Sequence, residues 1–237
     1  MRRPVAWSGS RPVSSLLESP GATRGLLVVW TLAWVAALLV YDRRGALRRA
    51  RIAKVAASLG FVAAGGLAAA GLDGPAGGAL VAAVVACLVG DGLLSYPGRR
   101  AFLAGTAAFL VGHVGYAVAF WAAPAPSPAP PGAVAGAGGA VLAMGALALV
   151  RVAPRVDRGL FVATAAYVLV IATMVAAAVR LGPSRPLVAA GAVAFALSDL
   201  SVAEDRLVAP SFLHRAWGLP LYYAAQLAIA FGMGAVR

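Results

Sequence analysis

The chain has 237 residues, 62% of them hydrophobic and 12% charged, with a mean hydropathy of +0.87. Soluble domains are about half apolar and about a quarter charged, so this composition excludes a cytosolic globular enzyme. Lys and Arg number 20 against 8 Asp and Glu, a net charge of +12. The basic residues cluster between apolar runs and are not interleaved with aromatics on a polar surface, which points to membrane loops and away from nucleic acid.

Taken in chain order, residues 1–23 are polar and rich in Ser, Pro and Arg, and read as a disordered tail without the apolar stretch of a signal peptide. The rest, 24–237, reads as one transmembrane domain with apolar runs near 25–41, 52–72, 77–95, 101–122, 133–150, 159–179, 186–204 and 216–236. Each is long enough to cross a bilayer as a helix, since a span takes about 20 residues. The expected fold class is therefore all-α, a polytopic bundle of about eight helices. Glycines dilute the second and third runs, which are joined by a turn at Asp73–Pro75; small residues are common where transmembrane helices pack closely. The Pro/Ala-rich stretch Pro124–Pro131 cannot be helical throughout and reads as an extended surface loop. The single Cys, Cys87, lies inside an apolar run and supports neither a disulfide framework nor a Cys-based metal site.

Counting Lys and Arg gives the orientation. The odd-numbered loops and their flanks hold 13, including Arg43, Arg44, Arg48, Arg49, Arg51 and Lys54, against 7 on the other side. The bias places the odd loops in the cytoplasm and both termini outside, although the basic tail opposes it. The expected location is the plasma (inner) membrane of a bacterium.

Ionisable groups within hydrocarbon are costly and mark functional sites or paired networks. Here they are Asp91 near the end of the third run, His113 with Tyr116 in the fourth, Tyr167 in the sixth, Asp199 near the end of the seventh, Lys54 opening the second, and Tyr222, Tyr223 and Gln226 in the eighth. Counted along their helices, Lys54, Asp91, Asp199 and Tyr222 fall within two turns of the odd-loop side; His113, Tyr167 and Gln226 lie deeper. One polar pocket open to the cytoplasmic side is the expectation. Asp91 and Asp199 are 108 residues apart, each near the end of the third helix of a four-helix block, as two parallel repeats would place them. Plainer readings stand beside these. The carboxylates would reach headgroup water with Arg99 and Arg206 as partners, His113 would bond a neighbouring backbone, Tyr116 and Tyr167 would merely pack, Lys54 would be a positive-inside anchor, and Arg99, Arg100, Arg151, Arg155 and Arg158 would set topology or hold a lipid phosphate.

The two His residues, His113 and His214, lack the companions of a metal site, and neither a Gly-x-Ser-x-Gly elbow nor a phosphate-cradling Gly loop occurs. What remains is an ordered set: Gly90-Asp91, then Phe102, Gly105, Phe109, Gly112-His113, Tyr116 and Phe120, then Tyr167, Ile171 and Met174, then Ser198-Asp199, and finally Tyr222 with Ala225-Gln226. This order resembles the YhhN-type lysoplasmalogenase family of eight-helix membrane proteins, over about Lys54 to Gly232. The residue after Lys54, commonly Pro in that family, is Val55 here.

The resemblance implies hydrolysis of the vinyl ether bond of lysoplasmalogen or a related lysolipid ether, giving a fatty aldehyde and a glycerophospho-alcohol. No cofactor is implied; the partners are the lysophospholipid and membrane lipids. Such hydrolysis starts with protonation at carbon, so it needs a proton donor and an anion, roles that two carboxylates in unlike environments can divide. On this reading Asp91 and Asp199 form the couple, with either as the acid, and His113 orients one or relays the proton. Tyr116, Tyr167, Tyr222 and Gln226 would hold the water and the glycerol hydroxyl, and Lys54 would sit near the phosphate. A proton- or solute-coupled transporter and a non-catalytic lipid-binding protein are the alternatives; the first is weakened because neither half shows a matching broken helix.

Overall fold

The computed structural model describes residues 20–234. Among them are eight α-helices and no strand: α1 (Pro20–Arg43), α2 (Leu47–Ala69), α3 (Pro75–Leu94), α4 (Arg99–Ala122), α5 (Pro131–Val152), α6 (Arg158–Arg180), α7 (Pro186–Ala203) and α8 (Phe212–Met233). Seven, α1 to α7, are long and apolar enough to cross a membrane. The eighth has the length, but His214, Arg215, Pro220, Tyr222, Tyr223 and Gln226 dilute it. The tail expected over 1–23 ends earlier than its composition suggests, because α1 already begins at Pro20; the remainder of that tail lies outside the described residues. Likewise Arg48, Arg49 and Arg51 belong to the first turns of α2 instead of the loop before it.

Local chemistry sets the helix ends. Proline occupies the first turn of α3, α5 and α7, where its missing N–H costs nothing. Gly182 turns the chain after α6 at φ +67°. A Cβ there would also collide with the Ser127 carbonyl oxygen, so the Pro/Ala-rich loop can fold against the end of α6 only over a glycine. Arg180 fastens the same corner by donating to the Phe120, Trp121 and Ala123 carbonyls at 2.9–3.0 Å.

Asp157 caps α6, its Oδ1 accepting from Leu160 N–H at 3.0 Å while Arg99 lies 2.5 Å from Oδ2. The Leu160 amide first, and Arg99 second, hold this exposed carboxyl below its ordinary value. Its contribution to the cap is thus complete above the ordinary carboxylate pKa and is lost as the pH falls through the lower folded value. Wild type and Asp157→Ala are expected to differ slightly in Tm near neutrality and to converge well below about pH 3.9, measured by thermal unfolding in detergent.

Consecutive helices pack in pairs in both halves, α1 on α2 and α3 on α4, then α5 on α6 and α7 on α8, with α4 on α6 and α2 on α8 chiefly joining the halves. Small residues make the closest contacts. A Cβ on Gly191 would meet the Ala225 carbonyl oxygen at 2.9 Å and Ile229 N at 3.0 Å, so the α7 and α8 backbones touch there. Because backbone cannot rotate aside, Gly191→Val must part the two helices. The expected cost is about 1–3 kcal/mol or more, read as a lower Tm in detergent; an unchanged Tm would show that the pair separates freely. Large side chains such as Trp121, Leu147 and Val150 are instead exposed on the outer surface, the face that hydrocarbon would solvate.

Candidate active site

The four loops 44–46, 95–98, 153–157 and 204–211 lie at one end of the bundle, and a cavity of about 800 Å³ opens from that end into its interior. Apolar residues such as Leu103, Leu110, Met144 and Leu149 make much of its wall. Lys54, Asp91, Tyr167, Asp199 and Tyr222 all face it. The depth count along separate helices therefore corresponds to a real convergence in space. The five come from α2, α3, α6, α7 and α8.

Asp91 is almost completely enclosed, with its side chain 2% exposed. The Lys54 ammonium lies 3.2 Å from Oδ1. Its Oδ2 accepts from Ser58 Oγ at 2.7 Å and from Tyr222 Oη at 2.9 Å. Tyr223 closes the cluster from behind, its hydroxyl 3.1 Å from both Ser58 Oγ and the Lys54 carbonyl. One cation and two hydroxyl donors satisfy both oxygens of an ionised carboxylate, which is what a buried charge needs. Lys54 thus lines the cavity as the charge partner of Asp91. Ser58 was not expected at all, although its position one helical turn after Lys54 puts it on the same face.

Asp199 is more open, with its side chain 16% exposed, and has different company. His113 Nε2 lies 3.2 Å from Oδ2, close but off the axis of a good hydrogen bond. Tyr167 Oη lies 3.4 Å from the same oxygen. The His113 Nδ1–H donates to the Phe109 carbonyl at 2.7 Å, so in neutral His113 the Nε2 is a bare acceptor. A bare nitrogen facing a carboxylate oxygen is repulsive; one proton on either atom turns the contact into an attraction. Asp199 thus faces a histidine, whereas Asp91 faces an ammonium.

Aromatic rings fill the space between the two clusters. Tyr222 packs on Phe195 at 5.2 Å between centroids and on Phe109 at 5.8 Å, and Phe195 packs on His113 at 4.5 Å. They keep the carboxylates in separate surroundings along one wall. Neither Asp91 nor Asp199 pairs with Arg99 or Arg206, because Arg99 is taken by Asp157 and Arg206 by the Leu94 carbonyl.

Two expectations need correction. Tyr116 and Gln226 do not reach the cavity wall: both are fully buried behind it, and the Tyr116 hydroxyl donates to Gln226 Oε1. Facing rotations of α4 and α8 join the two groups behind the wall, while the equally buried Gln226 Nε2 has no hydrogen-bond partner among the described residues. His113 is also fully buried and reaches the cavity only through Asp199 and Tyr167. Among the described residues no group of three or more His, Cys, Asp or Glu could hold a metal ion.

A multi-pass α-helical membrane protein with a polar site sunk in an apolar cavity is the class this fold and site define. The chain belongs to the YhhN family, whose family model matches residues 50–233. No curated protein and no solved structure matches it.

Proposed function

We propose that this cavity hydrolyses the vinyl ether bond of a lysoplasmalogen or related lysolipid ether, releasing a fatty aldehyde and a glycerophospho-alcohol. Membership of the YhhN family agrees with this reading. The observation that carries it is that two carboxylates with unlike partners, one bearing an ammonium and the other a histidine, face one mainly apolar cavity.

The chemistry follows from those partners. The proton shared by Asp199 and His113 passes to the alkenyl carbon beyond the ether carbon, forming a C–H bond and leaving an oxocarbenium ion. The Asp91 carboxylate, with Tyr222 as its hydrogen-bonded arm, stabilises that positive charge. Water adds to the ether carbon and gives its proton back to the Asp199–His113 pair. The resulting hemiacetal collapses: its hydroxyl gives up its proton as the aldehyde carbonyl forms, the bond to the glycerol oxygen breaks, and that oxygen takes a proton. Residues of α4, α5 and α6 along the wall would take the hydrocarbon chain. On the Lys and Arg bias, the mouth would open toward the cytoplasmic leaflet of a bacterial plasma membrane.

The test is to purify the protein in detergent and present it with a 1-alkenyl lysophospholipid and with its saturated 1-alkyl counterpart. Aldehyde is expected from the first alone. Absence of aldehyde, with the lipid still bound, would leave a lipid-binding protein; solute flux in proteoliposomes without product would make it a transporter.

A further inference from the structure

Two arginines at the cavity mouth take no part in the chemistry above. Arg51 Nε donates to the Ser95 carbonyl at 3.0 Å, with its guanidinium 4.4 Å over the Tyr96 ring. Arg206, from the π-turn Glu204–Val208, donates through Nη2 to the Leu94 carbonyl at 2.7 Å. Leu94 ends α3 and Ser95 is its C-cap residue, so the two guanidiniums are held by consecutive carbonyls. Both arginines face the cavity.

Capping α3 uses one N–H of each. Among the described residues the terminal amino groups of Arg51 make no hydrogen bond, and the only carboxylate near Arg206 is Asp205, at 3.8 Å from Nε. Arg215, which also faces the cavity, is fully engaged, with Asp42 at 2.8 Å and Asp205 at 2.9 Å. The two arginines therefore offer several N–H donors and positive charge at the entrance of an apolar cavity. Paired guanidiniums suit a tetrahedral oxyanion whose oxygens are bridged two at a time.

We propose that Arg51 and Arg206 form a phosphate-binding pair that takes the headgroup of a lysophospholipid. This deepens the proposed function and rests on it. The register fits. Lys54 follows Arg51 by one helical turn, and Asp91 precedes Leu94 and Ser95 by one turn, so the Lys54–Asp91 pair lies about 5 Å deeper than the arginines. A glycerol backbone spans a comparable distance between ether oxygen and phosphate. The headgroup then rests at the mouth, the ether bond at the carboxylates, and the hydrocarbon beyond.

Binding separates this assignment from hydrolysis, since it needs no turnover. The probes are a saturated 1-alkyl lysophospholipid, the matching 1-alkylglycerol without phosphate, and inorganic phosphate, titrated against the detergent-purified protein by calorimetry. Wild type is expected to prefer the phospholipid over the alkylglycerol by about tenfold or more, with inorganic phosphate far weaker than either. Arg51→Gln and Arg206→Gln should each weaken the phospholipid about tenfold or more while leaving alkylglycerol affinity as it was, which also shows that the variants fold. Arg99→Gln, on the same end but away from the cavity wall, should change neither. Equal affinity of wild type for the two lipids, unaltered phospholipid affinity in both arginine variants, or inorganic phosphate binding as tightly as the lipid would overturn the headgroup assignment, whatever the hydrolysis assay shows.

Discussion

Asp199→Asn is expected to slow aldehyde release by at least about a hundredfold, the lower range for removal of an acid–base group. The amide still accepts from Tyr167, which approaches Oδ2 at 3.4 Å in wild type, so folding should be little affected. What it cannot do is share a proton with His113 Nε2 and pass that proton to carbon. Asp91→Asn should cost at least as much activity through loss of the anion, but it also leaves the Lys54 ammonium without its counter-charge. Rates for both variants, from a continuous aldehyde assay and set beside their Tm values in detergent, separate the chemistry from stability. Near-normal turnover in Asp199→Asn would end its role as proton donor.

Lys54→Met should have the largest effect on stability. Lys54 is 13% and Asp91 2% exposed in their side chains, so removing the ammonium leaves a nearly buried carboxylate with two hydroxyl donors and no cation. Breaking such a pair costs about 3–5 kcal/mol, visible as a large fall in Tm. The double variant Lys54→Met with Asp91→Asn removes both charges and should recover most of that loss, because buried ion pairs often contribute little beyond cancelling each other. Strictly additive single-variant losses would show that the two groups do not interact as their 3.2 Å separation implies.

The sequence carries the bundle because hydrocarbon imposes long apolar runs, and it carries the depth of the polar groups because residue number along a helix is distance along the membrane normal. It does not carry the rotation of each helix about its axis, and that decides partners. Lys54 and Asp91 were both legible as polar and shallow, but their pairing depends on how α2 and α3 face each other. The same unknown hides that Tyr116 and Gln226, 110 residues apart, meet behind the wall. Ser58 escaped because a serine inside a helix is ordinary; only its spacing from Lys54 marks it. Arg51 and Arg206 read as loop charges in the chain, and only the fold brings them to the consecutive Ser95 and Leu94 carbonyls.

Heavy water tests the central claim most directly. If the Asp199–His113 proton is delivered to carbon, turnover of a 1-alkenyl lysophospholipid in D2O, with the aldehyde reduced as it forms, gives a fatty alcohol carrying one deuterium on the carbon next to the hydroxyl-bearing one. Mass spectrometry of that alcohol reads the result. Product without the label, or no product from a folded, lipid-binding protein, would contradict hydrolysis by carbon protonation in this cavity.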